Sequence, residues 1–434
     1  MKYSFSEIIE KKKHKIELTS EEIKWLINSY VNNQVTDYQM SAFAMAIYFN
    51  GMTKAETLAL TQSYVESGYV YDVSNVKGLK ADKHSTGGVG DKTSLVYSPL
   101  VASYGVKVCK LSGRGLGVTG GTIDKLESCK GWTSELTKEE FIDTINKVGM
   151  SITGQSNDIV PADKKMYALR DVTGTVDSIP LIAASIMSKK LVIDSDSLIL
   201  DVKVGAGAFM KDISVAEQLA NEMIQIGHGY KRKVSILLTD MQKPLGKAIG
   251  NAIEVKEAWD TLNNNGPDDL KEVVCTAAGL TLTDLGIFDN LQEAIKDCYK
   301  KLETKECAHY LKQFIEAQHG DFSLIENYNN NFTTKHKIEI KANSNGFITI
   351  QDAEIIGLLS MELGAGRKTK EDEIDFAAGI YLNKKIGDTV KIGDTVMTLY
   401  TNYNINEEWI NKAQSSYTIS NNLNKIENII KIIR

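Results

Sequence analysis

From residue 78 onward, short runs of β-branched residues alternate with stretches of helical periodicity. The runs at 106–111, 198–204 and 234–239 have the length and composition of buried strands. Helical stretches lie before, between and after them, near 94–104, 121–129, 137–148, 214–227 and 252–264. Strands that alternate with helices pair in parallel, because each helix carries the chain back across a face of the sheet. The sequence therefore predicts an α/β core with a mostly parallel sheet.

The chain before this core, residues 1–67, has the pattern of helices only. Thr19 and Thr53 are each followed three residues later by a glutamate, which is the capping-box pattern that begins a helix. Between these two starts, residues 38–49 are almost continuously apolar. A helix that is apolar on all sides is predicted to be buried, either in a helical bundle or in a subunit interface.

A second helical segment, residues 161–192, interrupts the α/β alternation. Pro161 and Pro180 mark the starts of two helices in it. These helices could return to the first helical layer, which would make that domain discontinuous. We therefore expect a small helical domain built from two segments (1–67 and 161–192) and a large α/β domain built from two others (68–160 and 193–332).

The last hundred residues differ from both of these regions. Residues 337–341 and 347–350 alternate as strands, and the sequence Ile-Gly-Asp-Thr-Val occurs at 386–390 and again at 392–396. We expect a small β-rich α+β domain over 333–434, preceded by an Asn-rich linker at 326–331. The sequence does not decide whether residues 426–434 form a strand or a short helix. The fold class predicted for the whole chain is α/β plus all-α.

Composition excludes several classes of function. The net charge of −6 over 434 residues argues against a general nucleic-acid surface, so any anion site must be local. The sequence has no run of about 18 apolar residues and no secretory pattern at its start, which predicts a cytoplasmic protein without a membrane span. Its five cysteines show no paired spacing, so we expect free thiols in a reducing compartment.

Two glycine-rich runs, at 83–91 and 110–128, each follow a predicted strand and precede a predicted helix. Glycine lets backbone N–H groups approach an oxyanion, and a helix N-terminus adds a favourable field. The runs and the helix after the first of them carry hydroxyls and cations, together with one histidine beside the predicted anion: Ser85, Ser94, Ser112, Thr122, Lys83, Lys110, Arg114 and His84. This pattern predicts phosphate-dependent chemistry. The alternatives are an ordinary strand-to-helix loop and, for Thr122, a helix cap.

A further polar group lies in the second helical segment. Ser185 and Lys189 are four residues apart and so share a helix face, and Tyr167 and Arg170 lie on the preceding helix. Arginine, serine and lysine together could bind a flat ring that carries carbonyl acceptors. The alternative is a solvated charged face.

These runs resemble the signatures of the thymidine phosphorylase family, most closely its broad-specificity branch, the pyrimidine-nucleoside phosphorylases. The likeness continues through residues 155–190, 201–209 and 250–254 to 364–367, and so extends over most of the chain. It implies reversible phosphorolysis of uridine, thymidine and deoxyuridine to the free base and (deoxy)ribose 1-phosphate, in nucleoside salvage or catabolism. It also implies inorganic phosphate as co-substrate with no other cofactor, and a homodimer formed through the helical domain.

The resemblance assigns roles to individual residues. The phosphate ligands would be Lys83, Ser85, Ser94, Ser112 and Thr122, and the pyrimidine ligands would be His84, Arg170, Ser185 and Lys189. His84 would be the proton donor to the base. Lys110, which is typical of the broad-specificity branch, would also bind the substrate. Because the two half-sites fall in different domains, we expect a cleft that closes about hinges near 67–80, 155–162 and 190–197.

The sequence departs from the family pattern at two positions. Val118 stands where the family usually has histidine, and we expect activity to survive this change. Some relatives bind a structural cation at positions that match Gly90, Leu245, Ala248 and Glu257, together with a threonine hydroxyl that is replaced here by Lys92. An ammonium group at Lys92 could reach Glu257, so we predict that no metal binds.

Two other classes of protein share some of these features. Anthranilate phosphoribosyltransferases also place glycine-rich loops over phosphates, but they would need magnesium and a sugar that bears a diphosphate. The C-terminal repeat faintly resembles carrier domains, but the Met-Lys-Met triplet of biotin carriers is absent.

Overall fold

A computed structural model describes residues 3–115, 120–156, 158–369, 371–423 and 427–434. The chain begins with four helices: α1 (Phe5–Lys13), α2 (Ser20–Val31), α3 (Asp37–Asn50) and α4 (Lys54–Glu66). The capping boxes predicted at Thr19 and Thr53 are confirmed, because each threonine hydroxyl accepts a hydrogen bond from the glutamate amide three residues later. Both helices therefore begin where the sequence places them.

Helix α3 is less buried than its composition predicts. Met40, Phe43 and Ile47 pack into the helical core, but Tyr38 is 76% exposed and Phe49 is 74% exposed in the single chain. One face of α3 therefore belongs to the bundle, while the opposite face leaves aromatic side chains in solvent. The bundle thus covers only the first face, and burial of the second face in a subunit interface remains a prediction.

The α/β region begins after α4. Its first segment contains β1 (Lys80–Ser85), α5 (Thr93–Ala102), β2 (Lys107–Ser112), α6 (Thr122–Leu126), α7 (Lys138–Val148) and β3 (Met150–Gly154). Helix α7 starts at the capping box of Thr137 and Glu140. Helix α6 is shorter than the predicted 121–129, because the chain turns after Leu126 and the Ser128 hydroxyl donates back to the Lys125 carbonyl.

The next two helices, α8 (Pro161–Thr173) and α9 (Ile179–Leu191), return to the helical layer. Ala162 and Met166 of α8, with Leu181 and Ala184 of α9, are buried in the same core as the side chains of α1 to α4. The discontinuous helical domain predicted from the two proline starts is therefore confirmed.

The chain then completes the α/β region and forms its covering helices. These elements are β4 (Ser197–Val204), α10 (Ile213–Gly229), β5 (Lys233–Asp240), β6 (Ala248–Gly250), α11 (Ala252–Leu262), α12 (Asp268–Asp284), α13 (Leu291–Glu303), α14 (Glu306–Ala317), α15 (Ser323–Glu326) and α16 (Tyr328–Asn331). The expected Asn-rich linker at 326–331 is instead largely helical, and Tyr328 stacks on Phe332.

The C-terminal region consists of short strands around two helices. Its elements are β7 (His336–Lys341), β8 (Gly346–Gln351), α17 (Ala353–Ser360) with a π-helical turn (Met361–Ala365), β9 (Gly379–Leu382), β10 (Thr389–Val390), β11 (Thr395–Thr401), α18 (Glu407–Ser415), β12 (Tyr417–Ser420) and β13 (Ile429–Ile433). The strands form two small sheets, of order β10-β8-β12 and β6-β9-β11-β7.

Two strands cross the boundary predicted at residue 333. Strand β6 leaves the α/β region and pairs with β9, while β13 returns from the chain end to the edge of the large sheet, antiparallel to β5. The last strand of the predicted C-terminal domain, residues 333–434, therefore belongs to the α/β sheet. The undecided segment at 426–434 contains a strand, because Ile432 and Ile433 complete the register beside Leu237 and Ile236.

The large sheet has the order β13-β5-β4-β1-β2-β3, and every pairing except that of β13 is parallel. The predicted mostly parallel sheet is therefore confirmed. From β1 the chain proceeds to β2 and β3 on one side, and after α9 it adds β4 and β5 on the other side. In such sheets ligands bind outside the carboxyl ends of the strands where the direction of winding reverses. That point lies at the end of β1.

Among the described residues, the five cysteines are all free and buried. The described part of the chain contains no helix that is both long enough and apolar enough to cross a membrane.

Candidate active site

A cavity of about 450 Å³ lies at the carboxyl ends of β1 and β2, where the winding of the sheet reverses. The loops after both strands form one side of it, and helices α8 and α9 contribute Tyr167, Ser185, Lys189 and Lys190 to the other. A larger cavity of about 630 Å³ lies between α11 and the C-terminal strands, but neither glycine-rich loop lines it. The chemistry that the sequence predicts therefore belongs to the first cavity.

The structure brings four of the five predicted phosphate ligands to this cavity. Ser85, Ser94, Ser112 and Thr122 all line it, although they come from β1, α5, β2 and α6. The glycines allow the close approach of these elements. Gly87 and Gly90 have φ angles of +90° and +72°, and a Cβ on Gly90 would stand 2.4 Å from the Leu245 carbonyl oxygen.

Lys83, the fifth predicted ligand, lies beneath the cavity instead. Its side chain is fully buried, and its Nζ donates to Thr93 Oγ1 at 2.5 Å and to Asp201 Oδ2 at 3.0 Å. Asp201 also accepts from Lys203 Nζ at 2.8 Å and from Thr239 Oγ1 at 2.6 Å. Lys83 therefore belongs to a buried ion network that supports the loop from below.

Asp91 is a lining residue that the sequence analysis did not select. Its Oδ2 accepts a short hydrogen bond from the Ser85 hydroxyl, and its Oδ1 accepts from the Thr93 hydroxyl at 2.6 Å. Burial by itself would raise the pKa of Asp91, but the charges of Lys203, Lys83 and Lys125 hold that pKa well below its usual range. Its place inside the glycine-rich run was the available signal.

His84 lies in a strongly positive environment. Burial is the first cause that lowers the pKa of His84 well below its ordinary value, and the charges of Lys190, Lys110, Lys83 and Lys189 add to the effect. Burial and these charges therefore favour the neutral imidazole.

Lys110 and Lys190 form the positive wall beside this histidine. Lys110 donates to the backbone carbonyl of Lys83, and burial followed by the charge of Lys190 lowers the pKa of Lys110 to about 7. Lys190 donates to Asp82 Oδ2 at 3.0 Å and to the Leu111 carbonyl at 2.9 Å. Lys190 was not selected as a site residue, although it follows Lys189 directly.

Ser185 and Lys189 meet as their four-residue spacing predicts. Lys189 Nζ donates to Ser185 Oγ at 2.8 Å and makes a short ion pair with Asp163 of α8. Among the residues that the structure describes, Oδ1 of Asp163 is buried without a hydrogen-bond partner. The ammonium group of Lys189 thus lies at the cavity wall, and the carboxylate of Asp163 neutralises its charge.

Arg170 occupies a different position from Lys189. It is 1% exposed, and its guanidinium donates to three backbone carbonyls, those of Thr175 at 3.1 Å, Val176 at 2.6 Å and Leu181 at 3.1 Å. Together with His84 and Ser185 it lines an adjoining cavity of about 240 Å³, whose other walls are mostly apolar and include Ile186, Phe209, Met210 and Leu219.

Lys92 lies in a cage of oxygen atoms behind the first glycine-rich loop. Its Nζ donates to the carbonyls of Leu245 at 3.1 Å and Ala248 at 2.7 Å, and to Glu257 Oε2 at 2.6 Å. Burial alone would lower the pKa of Lys92, but Glu257 and Glu254 raise it above the ordinary value. The ammonium group is therefore charged at neutral pH.

The two remaining positions of interest lie in the second loop. Arg114 lines the cavity mouth and is paired with Glu127 through two hydrogen bonds of 2.5 and 2.6 Å. Val118 lies outside the described residues.

Three family models match this chain. A helical bundle domain of the glycosyl transferase family matches residues 6–68, and an a/b domain of the glycosyl transferase family matches residues 77–306. A pyrimidine nucleoside phosphorylase C-terminal domain matches residues 347–420. The fold and the site thus define a glycosyl transferase with a helical bundle and an α/β domain.

Curated relatives narrow this class. The chain is 49% identical over 413 residues to the pyrimidine-nucleoside phosphorylase of Staphylococcus haemolyticus, covering 95% of each chain. It is 50% identical over 397 residues to that of Geobacillus stearothermophilus, covering 91% of this chain and 92% of the relative. The chain therefore belongs to the pyrimidine-nucleoside phosphorylase family, as its glycine-rich runs predict.

Among solved structures, the anthranilate phosphoribosyltransferase of Thermus thermophilus matches with a TM-score of 0.57, covering 72% of this chain and 99% of that one. The sequence identity is 17%, so this likeness concerns the fold alone.

Proposed function

We propose that this protein catalyses the reversible phosphorolysis of pyrimidine nucleosides. One observation carries the proposal: four hydroxyl side chains, from the ends of β1 and β2 and the first turns of α5 and α6, surround one cavity, which His84, Lys110 and Lys189 also line. The site thus combines an oxyanion cradle with proton donors that match the carbonyl oxygens of a pyrimidine. Family membership and the names of the relatives support the same reaction.

The reaction breaks the bond between the sugar carbon and the base nitrogen. The transition state resembles an oxocarbenium ion, so positive charge grows on the sugar while negative charge grows on the departing base. Phosphate held by Ser85, Ser94, Ser112 and Thr122 offsets the first charge and then bonds to the sugar carbon. The lysines at the opposite wall offset the second charge, which is worth most in a site that excludes water.

His84 has the role of proton donor to the base in this mechanism. The lysines around it disfavour the charged imidazolium, as the lowered pKa of His84 indicates. A bound phosphate adds negative charge next to these lysines and so favours protonation of His84. Phosphate therefore acts both as the nucleophile and as the group that lets His84 hold the proton it donates.

Ser185, Lys189 and Arg170 are proposed to hold the pyrimidine. The apolar walls of the adjoining cavity, Ile186 and Phe209 among them, suit the flat ring faces. Arg170 spends three of its five N–H donors on backbone carbonyls, which leaves two for the base. We propose that closure of the cleft about segments 67–80, 155–162 and 190–197 brings the base against these donors and excludes water, so that phosphate rather than water attacks.

The remaining proposals concern assembly and cellular setting. The exposed aromatic side chains of Tyr38, Tyr48 and Phe49 on α3 offer an apolar surface for a homodimer through the helical domain. The ammonium group of Lys92 takes the place of a structural cation, so no metal is required. Inorganic phosphate is the co-substrate, and no other cofactor takes part. We place the enzyme in the cytoplasm, in nucleoside salvage or catabolism.

Uridine, thymidine and deoxyuridine are all expected to be cleaved at comparable rates when phosphate is present. Lys110 is the residue that the resemblance connects with broad specificity, and cytidine is the comparison substrate because it carries an amino group at the ring edge where the others carry a carbonyl. The measurement is release of free base from the four nucleosides with saturating phosphate. Cleavage of thymidine without any cleavage of uridine would contradict the proposal of broad specificity.

A further inference from the structure

An ionised carboxylate stands in the wall of the proposed phosphate cradle. Asp91 lines the cavity and accepts hydrogen bonds from Ser85, a proposed phosphate ligand, and from Thr93. Asp91 therefore contacts Ser85, one of the proposed phosphate ligands, directly. A carboxylate at an anion site is unexpected, because like charges repel each other.

Asp91 acts as a hydrogen-bond acceptor in this cradle. Its two carboxylate oxygens accept from the hydroxyls of Ser85 and Thr93, and Lys125 Nζ donates to its backbone carbonyl at 2.7 Å. An ionised carboxylate has four acceptor sites and no donor. It therefore repels an oxyanion that carries no proton, whereas it accepts a strong hydrogen bond from an oxyanion that does carry one.

Phosphate and sulfate differ in this property. Both are tetrahedral and of similar size, so the hydroxyl donors of Ser94, Ser112 and Thr122 serve either anion equally well. At neutral pH every phosphate species keeps a proton on at least one oxygen, while sulfate keeps none. Asp91 lines the cavity and can distinguish the two anions, because its carboxylate accepts hydrogen bonds but donates none.

We propose that Asp91 makes the cradle selective for protonated oxyanions by accepting the P–OH group of phosphate and repelling sulfate. This inference rests on the proposed phosphorolysis, since it concerns the same anion. The proton stays on the phosphate oxygen and is shared with the carboxylate, so binding breaks no covalent bond. The unprotonated oxygens are then left for Ser94, Ser112 and Thr122 and for attack on the sugar carbon.

Kinetics with competing anions test this selectivity. In the wild-type enzyme, sulfate is expected to inhibit uridine phosphorolysis with an inhibition constant at least about tenfold above the KM for phosphate, because it lacks the charge-assisted hydrogen bond. Arsenate, which is protonated as phosphate is, is expected to replace phosphate as the attacking anion. In Asp91→Asn the KM for phosphate should rise about tenfold or more, and sulfate should bind about as well as phosphate.

Ser112→Ala is the matched control, because it removes a neutral donor from the same cavity. It should weaken the binding of phosphate and the binding of sulfate by the same factor, so the ratio of the two affinities stays unchanged. An unchanged ratio in Asp91→Asn, or equal binding of sulfate and phosphate by the wild type, would overturn the inference. If Asp91→Asn does not fold, the comparison of sulfate with arsenate in the wild type decides alone. Uridine cleavage that needs neither phosphate nor arsenate contradicts the proposed function instead, so the two failures are distinguishable.

Discussion

Replacement of His84 by alanine is expected to lower kcat by about 10²–10⁴-fold, which is the usual contribution of a positioned acid or base. The departing pyrimidine becomes more anionic as the glycosidic bond breaks, and His84 lies in the cavity wall where that charge develops. The loss should therefore appear in kcat and not only in KM. Steady-state phosphorolysis of uridine at saturating phosphate measures it.

The pH profile distinguishes proton transfer from simple hydrogen bonding. Burial and nearby lysines lower the pKa of His84, and we expect bound phosphate to raise it, so kcat of the wild type should fall as the pH rises through the pKa of the phosphate complex. His84→Gln keeps a neutral donor, so it should lose this dependence on pH along with most of the rate. His309→Ala changes an exposed histidine on α14 and should leave kcat unchanged. Normal turnover in His84→Ala would remove this residue from the mechanism.

Replacement of Lys92 by methionine is expected to reduce the free energy of unfolding by about 3–5 kcal/mol, the usual result of removing one partner of a buried ion pair. The change keeps the aliphatic stem but leaves Glu257, which is 7% exposed, beside two carbonyl oxygens without a cation. Urea unfolding followed by circular dichroism measures the change. Lys312→Met removes an exposed pair with Glu326 and is expected to cost at most about 1 kcal/mol.

The same site shows whether Lys92 stands in place of a bound cation. Lys92→Thr shortens the side chain and leaves the oxygen cage open, so potassium ions should raise the stability of this variant. The wild type should be equally stable with and without potassium, because its own ammonium group fills the cage. A stoichiometric cation bound to Glu257 in the wild-type protein would contradict this account.

The features that the sequence predicts well are local or periodic. The capping boxes at Thr19, Thr53 and Thr137 depend on residues three positions apart, and the parallel sheet follows from the alternation of strands with helices. The position of the site follows as well, because the two glycine-rich loops leave neighbouring parallel strands at one edge of the sheet. Predicting these features does not require knowing which residues distant in the chain are in contact, although β1 itself pairs with β4 far along the chain.

The features that the sequence does not predict depend on distant partners. Lys83 lies beneath the cavity because Asp201, on a strand 118 residues later, accepts a hydrogen bond from its ammonium group. Arg170 is turned toward three carbonyls of the α8–α9 connection and the start of α9, which a helix pattern does not reveal. Strand β13 pairs with β5 although the two are far apart in the chain, and its short apolar run fits a helix or a strand equally well. In each case tertiary contacts decide between local alternatives.

The central claim is that inorganic phosphate, held by the two glycine-rich loops, attacks the sugar carbon of a pyrimidine nucleoside. Phosphorus NMR of uridine incubated with the enzyme and phosphate tests it most directly. We expect the inorganic phosphate signal to be replaced by that of ribose 1-phosphate, with one uracil released for each, and no cleavage in phosphate-free buffer. Uracil release at the same rate without phosphate, with free ribose as the second product, would contradict it.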